Sequence, residues 1–313
     1  MLTIFTIPKP FTDPHINIIQ RNAILSWLQL KPRCEIILMG DDIGVAQVAR
    51  EFGVKHISKI KKNEFGTPLL NSVFSLAQKT ALHQTLAYIN TDIILLSDFL
   101  AAIKLVNLPM FLLAGRRWNL KIETAIRFQS NWENQIRQQL VASASLCRYT
   151  GIDYFVFPKN LPFELPPFAV GRVGWDNWLL YKIRSLNIPL IEATPMITAI
   201  HQLHHYSHCA GGEKGMTQGP EARANIKLTG GLAHAGSLRQ ANFILTPQGL
   251  KPKKIPWAIQ CCWQYLGALP NFYPKLSPYL KPILLPGKLI MTSVRKFQAF
   301  RLKKHISQSR PYD

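Results

Sequence analysis

Leu86-Ala87-Tyr88-Ile89-Asn90-Thr91-Asp92 is an apolar run that stops abruptly on an amide, a hydroxyl and a carboxylate. Four apolar residues closed by polar turn formers read as a strand buried on both faces, the kind found inside parallel sheets. Outward from it, residues 2–7 are apolar and β-branched. Residues 15–30 carry Ile16, Ile19, Ala23, Trp27 and Leu30 at helical spacing, and Glu35–Met39 is another apolar run, ended by Gly40-Asp41-Asp42. Val45–Phe52 reads as a helix closed by Gly53, residues 54–57 as a strand, and residues 68–84 as a helix opened by Thr67 and Pro68. Beyond Asp92 a helix is expected from Ser97-Asp98, strands at 110–114 and 154–157, a long helix at 131–146 between them, then a helix at 175–186 and a strand at 188–193. Strands alternating with helices predict an α/β fold with a mostly parallel sheet and helices on both faces. Residues 201–240, rich in Gly and His, read as loop with short helices.

The chain has 313 residues, 47% of them apolar, enough for a large core and incompatible with a disordered polyelectrolyte. Its 37 Lys and Arg against 17 Asp and Glu give a formal charge of +20. Residues 251–313 hold 12 of those bases and one acid, Asp313, so +11 lies in the last fifth of the chain. The expected division is therefore a body at 1–245 and a basic, proline- and aromatic-rich extension at 246–313. Five cysteines without a C-x-x-C read as reduced thiols in the cytoplasm. The first eight residues lack a basic flank and read as a strand, not a signal peptide. Residues 255–274 are uncharged but carry Gln260, Gln264, Asn271 and three prolines, which suits lying on a bilayer better than crossing it.

Ligands of open α/β sheets bind beyond the carboxyl ends of the strands, so the polar residues after each apolar run are the first site candidates. Asp41-Asp42 and Asn90-Thr91-Asp92 are two such points, and carboxylates there suit Mg²⁺ or Mn²⁺. The alternative for Asp92 is a turn residue capping the next helix. A third candidate is Gly171-Arg-Val-Gly-Trp-Asp-Asn-Trp178, in which Asp176 could serve as a base while Trp175 and Trp178 offer flat faces to a sugar. Equally, Asp176 could be a helix cap and the tryptophans core. A fourth is His201-Gln-Leu-His-His-Tyr-Ser-His208, four imidazoles in eight residues, without the spacing of a structural zinc site.

Taken in order, the first strand, Gly40-Asp41-Asp42, Asn90-Thr91-Asp92, Trp175-Asp-Asn-Trp178 and the late histidines resemble a nucleotide-sugar glycosyltransferase of the GT-A superfamily. The resemblance covers about residues 1–245. The Trp-Asp-Asn-Trp segment and the histidine segment with its following Gly211-Gly-Glu-Lys-Gly215 are similar to those of a bacterial and plant glycosyltransferase group. It implies that Thr6, Pro8, Asp41 and Asp42 lie against the nucleotide, and that Gly66, Thr67, Arg116 and Arg117 contact diphosphate or sugar. It also implies that Asp92 binds a divalent cation with a histidine of the cluster, His201 or His208, and that Asp176 deprotonates the acceptor in an inverting displacement. Asn90 stands where the D-x-D motif has its first aspartate, which removes one negative charge and leaves an amide for the ribose. His205 and Leu203 stand where more polar or acidic residues are expected. The implied partners are a nucleoside diphosphate sugar and a saccharide or lipid-linked acceptor. The alternative reading is a noncatalytic protein that binds glycan or nucleotide on the same fold.

The extension mixes Trp257, Trp263, Tyr265, Phe272, Tyr273 and Tyr279 with prolines, then Arg295, Lys296, Arg301, Lys303 and Lys304. Such a mixture suits an anionic membrane surface at the inner face, or a proline-rich wrap followed by a solvated basic helix. No helix-turn-helix, RNP or zinc-knuckle signature is present, so nucleic acid is not the expected partner.

Overall fold

The computed structural model describes residues 2–205, 212–231, 234–254, 259–260 and 277–308. The main sheet is built from β1 (Leu2–Thr6), β2 (Glu35–Met39), β3 (Lys55–Ile57), β4 (Thr85–Ile89), β6 (Leu112–Ala114), β9 (Tyr154–Pro158), β10 (Leu190–Glu192), β12 (Phe243–Thr246) and β13 (Gly249–Pro252). Their order is β13-β12-β10-β6-β9-β4-β1-β2-β3. Neighbours are parallel except that β9 runs antiparallel between β4 and β6, and β13 antiparallel beside β12. The α/β architecture with a mostly parallel sheet is thus the one expected. The β12–β13 hairpin crosses the expected boundary at 245/246, so the sheet continues to Pro252.

Alternation along each strand divides the core in two. Leu2 and Ile4, Ile36 and Leu38, and Ala87 and Ile89 face one side, where α1 (Pro14–Leu28), α2 (Val45–Phe52) and α4 (Asp98–Lys104) cover them. Phe5, Ile37, Met39, Leu86 and Tyr88 face the other, beneath α3 (Leu70–Thr80) and α6 (Trp175–Ser185). Helix α1 starts where Asp13 accepts from the backbone N–H groups of His15 and Ile16 and Pro14 fixes the first turn.

A second sheet was not foreseen. It consists of β5 (Ile93–Leu95), β7 (Trp118–Leu120), β8 (Ser145–Leu146) and β11 (Ala199–Gln202), in the order β5-β11-β7-β8. The helix expected to run to 146 is α5 (Trp132–Ser143); Ala144 turns extended and the chain pairs with β7 instead. Ile94, Leu96, Trp118, Leu120, Ile136, Leu140 and Ile200 form a third core. Ile306 enters that core from the last helix, α9 (Ser277–Gln308), whose Lys303 Nζ donates to the Val141 carbonyl at 3.0 Å. The end of the basic extension is therefore docked against α5 along one face. No described helix is long and apolar enough to cross a membrane.

Candidate functional site

Strands β1, β2, β3, β4 and β6 all point their carboxyl ends to one edge, and antiparallel β9 brings its amino end to the same edge. The register pairs Ile89 with Tyr154, so the residue before each turn faces the other across the sheet. Asp153 consequently sits beside Asn90. The Asn90 N–H donates to the Asp153 carbonyl at 2.9 Å, and the Asn90 amide donates to Asp153 Oδ1 at 2.7 Å. Arg117, beyond the end of β6, closes the other side of that carboxylate, its Nη1 donating to Asp153 Oδ2 at 2.5 Å.

The second sheet completes the site. The Asn90-Thr91-Asp92 turn runs directly into β5, and β5 pairs antiparallel with β11 in a register that sets Ile93 opposite His201. A cap for the next helix is therefore not what Asp92 provides. Its Oδ2 lies 3.1 Å from His204 Nε2, 3.7 Å from His201 Nε2 and 3.9 Å from Lys9 Nζ. Asp92 and His201 are 9% and 4% exposed. One ligand atom from each of Asp92, His201 and His204 fits within a 4.8 Å span.

Burial pushes the Asp92 carboxyl up, but His201, His204 and Lys9 outweigh it and hold the group well below the usual carboxylate range. Burial lowers His201 to about 4 against the opposing pull of Asp92, so its ring is neutral near pH 7, the form that binds metals. His204 Nδ1 donates to the His205 carbonyl at 2.9 Å, which fixes the ring's orientation. Its Nε2 lies within hydrogen-bond reach of Asp92 Oδ2 at 3.1 Å and of Lys9 Nζ at 3.2 Å. Asp92 Oδ1 and His201 Nδ1 are buried without a hydrogen-bond partner. A buried carboxylate oxygen without a partner, beside two imidazoles whose ligand atoms converge with it, is an arrangement a divalent cation satisfies, so these residues fit the metal that the sequence resemblance implies.

Asp176 stands in the first turn of α6, after Gly174, whose φ of +102° brings the chain into the helix. Gly174 occupies the cap position, so Asp176 is not the cap. Burial raises its carboxyl to about 7; the Asp153 charge adds to the rise and Arg117 opposes it. Arg117 is in turn held firmly charged by Asp153 and Asp92 against burial. Asp92, Asp153, Asp176, Arg117 and His201 thus belong to one electrostatic neighbourhood.

The tryptophan and Arg116 expectations are corrected. Trp175 and Trp178 are core, not sugar platforms: Trp175 packs edge-on to Tyr88 at 5.3 Å and against Phe155 at 5.3 Å, and Trp178 packs on Phe168 at 5.4 Å. Arg116 turns away from the site. It is 2% exposed, stacks on Tyr149 at 4.1 Å and reaches Gln298 of α9 at 3.4 Å. Thr6 is fully buried with its hydroxyl 2.7 Å from that of Thr91, and Pro8 is buried beside it in sequence. The Asn90 amide donates to Asp153 Oδ1. Gly66 and Thr67 form a turn around Asn63, which Glu221 of α8 (Pro220–Thr229), the helix after α7 (Gly212–Gln218), holds through Asn63 and Thr67. Asp41 is exposed and paired with Lys62, while Asp42 is half-buried and its carboxyl is raised by that burial. Asp41 lines a groove of about 750 Å³ along β3 and α3 with Lys59, Lys61, Asn71 and Lys79; none of the Asp92 cluster lines it. His208 lies outside the described residues.

Asp153, Lys9 and His204 are the members that sequence reading missed. Asp153 precedes its strand, and only the antiparallel course of β9 carries it to the ligand-binding edge. No protein-family model matches the chain, and no curated protein matches it. Among solved structures it is similar to residues 1–349 of S. aureus TarS, at 10% identity over 65% of this chain and 58% of that one, with a TM-score of 0.38. It is also similar to GalNAc-T7 crystallised with UDP, GalNAc and Mn²⁺, at 14% identity over 74% of this chain and 48% of that one, with a TM-score of 0.47. The chain thus spans less than two thirds of either protein's length.

Proposed function

We propose that the protein is a glycosyltransferase that moves a sugar from a nucleoside diphosphate to a saccharide or lipid-linked acceptor, with inversion at the anomeric carbon. One observation carries the reading: carboxylates at 92, 153 and 176, the Arg117 cation and two imidazoles gather at the carboxyl edge of one sheet, where ligands of open α/β sheets bind. Asp92, His201 and His204 would hold Mg²⁺ or Mn²⁺. A bound divalent cation offsets the negative charge of a departing diphosphate.

Asp176 is suited to base catalysis because burial and Asp153 bring its carboxyl to about 7, where it exchanges a proton near neutral pH. The acceptor oxygen forms its bond to the anomeric carbon as the bond from that carbon to the diphosphate breaks. The electron pair leaves on the diphosphate, and the hydroxyl proton passes to Asp176. Asp153 keeps Asp176 basic and orients Arg117, whose charge lies near the leaving group in this reading.

The test is a thermal-shift screen of UDP, GDP and CMP sugars with and without Mn²⁺, followed by donor hydrolysis in wild type and Asp176→Asn. Metal-dependent donor binding with turnover lost in the variant is the expected result. Donor binding without any turnover in wild type would make the protein a binding module, and no response to any donor would remove the reading.

A further inference from the structure

Helix α9 divides cleanly. Gln298, Ala299, Leu302 and Ile306 turn toward the body, where Ile306 is 7% exposed and Tyr149 donates its hydroxyl to Gln298 Oε1 at 2.9 Å. On the opposite stripe Phe297 is 62% and Phe300 66% exposed, with Val294 at 47% beside them. Lys296, Arg301 and Lys304 are exposed on that same face, and the Arg301 guanidinium lies 5.9 Å from the Phe297 ring. Two bare phenylalanines three positions apart on a helix that is already anchored need a partner.

We propose that this face of α9, Phe297 and Phe300 flanked by Lys296, Arg301 and Lys304, seats the protein on an anionic lipid bilayer. The rings enter the acyl boundary and the cations meet the headgroups, as on interfacial helices. Charge decides the occupant. No Asp or Glu occurs between Glu221 and Asp313, and residues 295–304 alone carry Arg295, Lys296, Arg301, Lys303 and Lys304. A second copy would bring the same cations against them, whereas an anionic leaflet complements them. Because Gln298, Leu302, Lys303 and Ile306 fasten the other face, the surface is presented ready-made and needs no folding on contact. The inference does not rest on the donor-binding reading.

Full-length protein is sedimented with vesicles of phosphatidylcholine alone and of phosphatidylcholine with one third phosphatidylglycerol, at low and high salt. Binding is expected to the anionic vesicles only, weakened by salt, with Phe297→Trp emission shifting to the blue on binding. Lys296→Gln with Arg301→Gln and Lys304→Gln should lower the partition coefficient by about a hundredfold, roughly fivefold for each cation. Phe297→Ser with Phe300→Ser should abolish binding at moderate salt. All five side chains are exposed, so melting temperatures should stay at the wild-type value, and the Trp emission reports the contact without relying on either variant. The proposal is overturned if wild type ignores anionic vesicles at low salt, if either variant binds as wild type does, or if the Trp emission stays unshifted. It is likewise overturned if the phenylalanines prove to mediate dimerisation or single-stranded nucleic acid binding in place of vesicle binding.

Discussion

Asn90 is the residue at which the local chemistry favours an amide over a carboxylate. Its amide donates to Asp153 Oδ1 while Arg117 occupies Oδ2, so an acid at position 90 would set a second carboxylate directly against the first. Asn90→Asp should therefore destabilise the protein by about 1–3 kcal/mol near pH 7, read as a lower urea midpoint at unchanged slope. Asp176 makes a prediction of opposite sign. Burial, with Asp153 adding, raises its carboxyl to about 7 in the folded chain against an ordinary value of about 4 when unfolded. Below about pH 4 both states hold the proton and the group costs nothing. Between about 4 and 7 only the unfolded chain releases it, so stability falls as pH rises, by on the order of 4 kcal/mol at most by pH 8. Asp176→Asn should recover much of that at pH 8 and nothing at pH 4, while turnover drops by a factor of roughly a hundred or more. Chemical denaturation at the two pH values checks the first half. Equal stability gains at both would show that the carboxyl is not raised.

The entry to α6 argues the same coupling at the level of an element. Gly174 has φ +102°, and a Cβ there would come within 3.3 Å of Thr229 Cγ2 on α8. Gly174→Ala should cost about 1–3 kcal/mol in denaturant unfolding and depress turnover with it, because the first turn that carries Asp176 must move. Seven strands of the main sheet were legible in the sequence, most of them as continuous apolar runs with polar stops, whereas β12 and β13 were not: they lie across the boundary expected at 245/246. The second sheet was not. Its strands are two to four residues long, Ile93–Leu95 follows the Asn-Thr-Asp turn without a break, and its partner β11 lies over a hundred residues further on. Yet that pairing alone brings His201 to Asp92. The convergence of Asp92 with an imidazole could be suspected from residue types, whereas the identity of the second histidine and the place of Asp153 depend on pairings between distant strands. Trp175 and Trp178 misled for a related reason: an i, i+3 pair on a helix faces one way, and here that way is the core between α6 and the sheet.

On the scale of the whole molecule, the proposed cation site joins parts that fold on different cores. Lys9 follows β1 of the main sheet, Asp92 bridges the two sheets, and His201 and His204 come from the carboxyl end of β11 and just beyond it. A ligand gripped by all of them should tie these parts together and stabilise only the folded chain. Mn²⁺ at a hundred times its dissociation constant should therefore add about 2.7 kcal/mol to the free energy of unfolding, seen as a rise in melting temperature. Asp92→Asn and His204→Ala should each lose most of that increment. Lys9→Met should behave in the opposite way. Its ammonium lies 3.9 Å from Asp92 Oδ2 and 3.2 Å from His204 Nε2, where it repels an incoming cation, so its removal should tighten Mn²⁺ binding by about tenfold in calorimetric titration. If Mn²⁺ raises the melting temperature of wild type and Asp92→Asn equally, the ion binds elsewhere; if Lys9→Met binds it more weakly, the lysine supports the site and does not compete for it.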